Sequence, residues 1–74
     1  MKAKPQPHYP MVIEWSDEDQ VFVVTFPDLP GCMAHGRTPE VAAREGQVAM
    51  GLWLEAVREM GQPVPVPTRH RLSS

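Results

Sequence analysis

The chain lacks the covalent and metal cross-links that hold many small domains together. It has 74 residues and a single cysteine, Cys32, so no disulfide can form within it. One cysteine and three scattered histidines do not favour a four-ligand zinc site either. A chain of this length buries only about 60–65% of the surface that its unfolded form exposes. We therefore expect it to gain stability by associating with copies of itself or with another protein.

Long apolar runs are absent as well. No segment reaches the roughly 18–20 consecutive apolar residues that a membrane span needs. The N-terminal sequence MKAKPQPHYP has lysines but no apolar run after them, so a secretory signal is not predicted. A free thiol without an export signal indicates a reducing cytoplasm.

Positive charge is missing from nearly half of the chain. No Lys or Arg occurs between Pro5 and Gly36, and the net charge is −2. The acidic residues of this stretch are Glu14, Asp17, Glu18, Asp19 and Asp28. A segment without Lys or Arg is not suited to binding nucleic acid, because clustered Lys and Arg side chains are needed to neutralise the phosphates. It could suit a basic protein partner, or form only a solvated acidic turn.

Two alternating segments predict an antiparallel hairpin. Residues 8–15 (HYPMVIEW) form the first predicted strand, whose apolar face holds Tyr9, Met11, Ile13 and Trp15. SDEDQ favours a turn. Residues 20–26 (QVFVVTF) follow, with apolar residues on both faces, so we expect a central strand that is covered on both sides.

A proline-rich corner and one helix come next. Pro27 ends the second strand, and Pro30-Gly31 indicates a turn. Residues 32–36 predict a third strand, with Cys32, Ala34 and Gly36 on one face and Met33 and His35 on the other.

Thr38-Pro39-Glu40 is a favourable helix start, and Gly61 can cap a helix that runs to Met60. A helical wheel places Ala42, Ala49, Trp53 and Met60 on the apolar face, flanked by Gly46, Ala56 and Val57. Val41, Val48 and Leu52 fall at its edge, where a lone monomer would expose them.

The sequence thus predicts an α+β fold: a small three- to four-stranded, mainly antiparallel sheet with one long helix packed on one face. Residues 62–68 (QPVPVPT), with proline at every second position, are expected to be polyproline-like or a sheet edge. The expected organisation is an N-terminal tail over residues 1–8, one domain over residues 9–67 and a C-terminal tail over residues 68–74.

Asp28, Cys32 and His35 are the residues to consider for catalysis. Positions 32 and 35 of a strand point to opposite faces, so a thiol–imidazole pair is disfavoured. Cys32 fits a small buried apolar residue, and Asp28 can accept turn N–H groups or contact a partner. No catalytic residue and no metal site are predicted.

Several motifs occur together: EWSDED over residues 14–19, FPDLPGC over residues 26–32 and GRTPE over residues 36–40, followed by Ala49, Trp53-Leu54 and Gly61. In this order and spacing, the chain resembles the N-terminal domain of the HicB family of antitoxins over about residues 9–67. The resemblance implies a partial RNase H-like fold that binds and neutralises a HicA-like toxin, a small basic mRNA interferase.

The resemblance has further implications for assembly and for binding sites. A homodimer or homotetramer is expected, and no cofactor. Many HicB proteins carry a C-terminal DNA-binding domain, whereas this sequence stops at Ser74, so direct DNA binding is not expected. The candidate partner-binding residues are Asp17, Glu18, Asp19 and Asp28. Two other functions stay open. One is a homo-oligomeric interaction domain whose partner is not a toxin, and the other is a metal-dependent nuclease. A nuclease is disfavoured because the acidic residues lie in a single turn, whereas its metal ions need acids from several elements.

Overall fold

The computed structural model describes residues 9–67, so the predicted tails over residues 1–8 and 68–74 lie outside it. Three strands precede one helix: β1 (Val12–Ser16), β2 (Val21–Thr25), β3 (Met33–Gly36) and α1 (Pro39–Glu59). The strands form one antiparallel sheet in the order β1-β2-β3. The predicted α+β class is confirmed. Within the described part of the chain, no helix is long and apolar enough to cross a membrane.

The strand register decides which side chains share a face of the sheet. Ile13 pairs with Val24, and Val24 pairs with Ala34. Trp15 pairs with Phe22, and their rings meet edge to face with centroids 5.0 Å apart. The helix covers this face, on which Val24 is fully buried. The predicted alternation of β2 and β3 is confirmed.

The first strand is shorter than predicted. It begins at Val12 instead of His8, because Pro10 has no N–H to donate to a sheet ladder. Tyr9 and Met11 still pack in or against the core although they precede the strand. Trp15 shares the helix-facing side but stays half exposed near the sheet end.

The helix begins and ends where the sequence places its caps. The Thr38 Oγ1 accepts a hydrogen bond from the Val41 N–H at 3.1 Å, and Pro39 occupies the first turn. At the other end, the Gly61 N–H donates to the Arg58 carbonyl at 3.0 Å, and the Gln62 N–H donates to the Val57 carbonyl at 3.1 Å. These two bonds satisfy carbonyl groups that the helix itself leaves unpaired.

The buried stripe of the helix differs from the one predicted. Its buried residues are Ala42, Gly46, Met50, Leu54 and Val57. The first four are spaced by four residues. Side chains at this spacing form a row inclined by about 26° to the helix axis. A helical wheel assumes one fixed direction along the whole helix, so it assigns some of these residues to the wrong face. Met60, predicted on the apolar face, is 65% exposed because it lies at the helix end. Val48 and Leu52 are exposed as expected, while Val41 is half-buried.

Two glycines allow the helix to approach the sheet closely. A Cβ added to Gly36 in β3 would lie 2.5 Å from the Ala42 backbone nitrogen and 2.8 Å from its Cα. A Cβ on Gly46 would lie 2.9 Å from Val24 Cγ1. Since the atoms that face Gly36 belong to the helix backbone, no rotamer change can make room there. The helix therefore packs closely at Ala42 and Gly46, and Gly36 is the strand residue that makes the approach at Ala42 possible.

The proline-rich segment after the helix folds back onto the domain without forming a strand over residues 62–67. The Tyr9 hydroxyl donates to the Pro65 carbonyl at 2.5 Å, and Val64 packs against the core. Tyr9 itself is buried. The start and the end of the described chain are therefore held together by one side chain.

The glycines provide a matched pair of variants. Gly36→Ala should lower the free energy of unfolding by about 2 kcal/mol or more, because the helix must move away from β3. Gly51→Ala should raise it by about 1 kcal/mol, because nothing beyond the neighbouring helix backbone lies within 4 Å of the added Cβ and alanine favours helix. Urea unfolding at one fixed protein concentration measures both. Equal effects of the two substitutions would contradict the close approach.

Tyr9 should make stability depend on pH in the alkaline range. Burial raises its pKa above 10.0; the positive charge of Arg58 opposes this rise and the negative charge of Asp28 adds to it. The unfolded tyrosine therefore loses its proton first, so the contribution is complete below about pH 10 and is lost as the pH rises. Tyr9 is the only tyrosine, so ultraviolet absorbance reports its titration directly.

The control is Tyr9→Phe, which should remove the alkaline loss assigned to this group. It should also lower the free energy of unfolding at neutral pH by about 1 kcal/mol through loss of the bond to Pro65. A wild-type tyrosine that titrates at or below its usual pKa would contradict the burial.

Candidate functional site

The proline-rich corner between β2 and β3 has a structural role. Leu29 is fully buried, the Leu29 N–H donates to the Phe26 carbonyl, and the Cys32 N–H donates to the Leu29 carbonyl, each at 3.0 Å. Gly31 adopts a φ of 81°, which glycine accepts without strain. The Trp53 indole N–H donates to the Pro30 carbonyl at 3.1 Å and joins the corner to the helix. These contacts account for the corner without a catalytic role.

The three residues considered for catalysis do not converge. Cys32 is buried, and burial raises the pKa of its thiol. His35 is exposed and lies on the opposite face of β3, as the alternation predicts. Over residues 9–67, no group of three or more His, Cys, Asp or Glu side chains is placed to hold a metal ion. A buried thiol with a raised pKa is a poor nucleophile at neutral pH.

The β1–β2 hairpin uses part of its acidic sequence for its own structure. Asp17 accepts a hydrogen bond from the Trp15 indole N–H at 2.8 Å, and its carbonyl accepts from the Gln20 side chain at 2.7 Å. The Asp19 N–H donates to Ser16 Oγ at 3.3 Å. Gln20 adopts a φ of 57°, which closes the turn. All three acids are exposed, and the turn holds their charges at one end of the sheet.

Asp28 does not join these acids. It follows the far end of β2, and a five-residue strand rising about 3.3 Å per residue separates it from the hairpin by about 13 Å or more. It is half-buried, and its charge acts on Tyr9. The four predicted partner-binding residues therefore form one cluster of three and one separate residue.

The face of the sheet opposite the helix is the feature that sequence reasoning missed. We call it the open sheet face; by the strand register, it consists of Val12, Glu14, Ser16, Val21, Val23, Thr25, Met33 and His35. None of the described residues forms a layer over it, which corrects the expectation that β2 is covered on both sides. The apolar Val21 and Val23 alternate with the half-buried Phe22 and the buried Val24, and this alternation does not state which of the two faces a further layer covers.

A shallow depression of about 470 Å³ lies on this face and reaches the hairpin. Val21, Val23, Met33 and His35 line it, and Asp19 forms its acidic rim. Met33 is 57% exposed and Val12 is 40% exposed. An apolar floor beside a fixed acidic turn is chemically suited to a basic partner that carries an apolar contact.

Cys32 should be protected from thiol reagents in the folded protein. We expect a colorimetric disulfide reagent to label it at a rate limited by opening of the fold, and quickly in denaturant. Met33→Cys in a Cys32→Ala background is the control, because position 33 is exposed on the same strand. Equally fast labelling of both thiols in the native protein would contradict the burial of Cys32.

Comparison with known proteins gives consistent relatives. A family model described as HicB-like antitoxin of bacterial toxin–antitoxin systems matches residues 9–72. The UPF0150 protein Ta0767 of Thermoplasma acidophilum is 33% identical over 54 residues, which cover 73% of this chain and 78% of the relative. The UPF0150 protein ssl0259 of Synechocystis is 36% identical over 58 residues, which cover 78% of each chain. The chain belongs to the HicB-like antitoxin family.

Proposed function

We propose that this protein neutralises a small basic toxin of the HicA type, an mRNA interferase, by binding it on the open sheet face. The observation that supports this proposal is the apolar depression next to the acidic hairpin. Apolar contact supplies affinity, and the acids steer a basic partner towards this surface. The protein acts by covering its partner and needs no cofactor.

The charges of the hairpin are suited to steering. Asp17, Glu18 and Asp19 lie at the tip of one turn, with no Lys or Arg from Pro5 to Gly36 to offset them. Fixed charges of one sign at the edge of an apolar patch raise the encounter rate with an oppositely charged protein. Their direct contribution to affinity is smaller, because the turn is exposed to solvent and salt screens it.

A non-catalytic role agrees with the buried Cys32, the exposed His35 on the opposite face and the separation of Asp28 from the hairpin acids. A nuclease of the RNase H type needs several acids from different elements around its metal ions. The three hairpin acids come from a single turn. We further propose that the protein works in the cytoplasm as a homo-oligomer, a dimer or tetramer.

Neutralising the hairpin should weaken toxin binding mainly through the association rate. The variant Asp17→Asn/Glu18→Gln/Asp19→Asn should slow association with the toxin encoded next to this gene by about tenfold at low salt. It should also flatten the dependence of the rate on salt. Stopped-flow or surface-immobilised binding over a range of salt concentrations measures both effects.

The matched control is Glu40→Gln/Glu55→Gln/Glu59→Gln, which changes the net charge equally on exposed helix positions across the sheet from the open face. We expect its association rate to stay within about twofold of the wild type. If both triple variants slow association equally, only net charge matters and the hairpin has no special role. If no neighbouring toxin binds the wild type, the alternative of an interaction domain with another partner is favoured.

A further inference from the structure

His35 differs in chemistry from its neighbours on the open sheet face. Among the residues that form this face, it is the only one whose side chain can carry a positive charge. It is exposed, and it lines the depression together with Val21, Val23 and Met33. The proposed binding surface therefore contains, within its apolar floor, one group of the type that becomes a cation when the pH falls.

We propose that protonation of His35 weakens binding of the basic toxin, so that pH regulates the open sheet face through this one side chain. The inference rests on the proposed function, because it concerns the same surface and the same partner. It adds to that function the residue on which the pH dependence of the affinity depends.

The strand register fixes the position of His35 on this face. His35 pairs with Val23, and Val23 pairs with Glu14, so the three side chains form one row across the sheet. Neighbouring strands lie about 4.8 Å apart, which places Glu14 about 10 Å from His35. Met33 lies two residues before His35 on the same face of β3. A partner that contacts both Val23 and Met33 therefore also covers the imidazole.

Other charged groups lie near His35 in the free protein. Asp19 forms the rim of the depression, and Glu14 lies at the other end of the row. Arg37 and Glu45 line the groove between β3 and the helix, which His35 also lines. The three acids attract an imidazolium, and Arg37 repels it. Because all four groups act on His35 before a partner arrives, they do not by themselves make the affinity depend on pH.

Two conditions change at His35 when a basic protein covers the face. The partner and the apolar floor exclude water from the imidazole, and the loss of hydration costs the charged form more than the neutral form. The partner also brings positive charges, which repel an imidazolium and compete with it for Asp19. Both changes favour the neutral ring in the complex. An imidazolium at position 35 must therefore lose its proton on binding, and the dissociation constant rises as the pH falls.

The test measures the dissociation constant of the full chain and the toxin encoded next to its gene, between about pH 8 and 5.5, where histidine changes its charge. One proton changes this constant by at most about tenfold per pH unit, so we expect His35 to contribute a rise of about tenfold over the range. His35→Gln is neutral at every pH and should lose this contribution. Titrating groups of the toxin contribute to both profiles and cancel when the two slopes are compared.

His35→Lys places a permanent cation at the same position. We expect its dissociation constant at about pH 8 to lie about tenfold above that of the wild type. The matched control Gln47→Lys adds the same charge at an exposed helix position on the other side of the sheet, and it should stay within about twofold. His8→Gln/His70→Gln changes the two histidines outside the described residues and should keep the wild-type pH profile.

Calorimetry in two buffers with different ionisation enthalpies counts the protons that are released on binding. At about pH 6, the wild type should release more protons than His35→Gln, a difference that a merely structural role would not produce. Circular dichroism at both ends of the pH range establishes that each variant is folded, which is expected because His35 is exposed.

The outcomes separate this inference from the proposed function. Equal pH slopes for the wild type and His35→Gln, or a contribution of His35 that strengthens binding at low pH, would overturn the inference and leave toxin binding in place. A wild type that does not bind the toxin at about pH 8 would overturn the proposed function, and this inference with it.

Discussion

The backbone of the helix passes β3 at a distance that only glycine at position 36 permits, and this contact organises the rest of the domain. An added Cβ at Gly36 would meet the backbone of Val41 and Ala42 at 2.5–2.8 Å. The contact brings the first turn of the helix against β3, which is one of the two edge strands. Gly46 then allows the helix to rest on Val24 of the central strand. The packing of the helix on one face of the sheet follows from these two contacts.

A helix that lies close to the edge strand leaves two apolar surfaces without a described layer over them. One is the open sheet face with Val21 and Val23, and the other is the groove between β3 and the helix, which Val48 and Leu52 border. A domain of this size has little core to lose, so apolar area kept at the surface has a cost in solubility and stability. Partner chains that cover these surfaces would remove that cost, which is physically consistent with membership of an antitoxin family.

Two of the acidic residues serve the structure of the hairpin in which the proposed binding charges lie. Asp17 and Asp19 hydrogen-bond within the hairpin, and these bonds hold the turn in place. Glu18 stands between them at the exposed tip. The same turn is thus rigid enough to present a fixed cluster of charge beside the apolar depression. Asp28 belongs instead to the supporting corner, where Leu29 is buried and Trp53 bonds the Pro30 carbonyl.

The sequence by itself determined the features that depend on neighbours along the chain. Alternation assigned β2 and β3 and their faces, Thr38 and Gly61 marked the helix ends, and the spacing of the corner identified the family. Two features required the tertiary structure: the burial of Met50 and Leu54, and the absence of a described layer over the open sheet face. Periodicity states which residues share a face, but it does not state whether another layer covers that face or at which angle a helix crosses it. Those outcomes are decided by contacts between residues far apart in the chain, such as Gly46 with Val24, Tyr9 with Pro65 and Trp53 with Pro30.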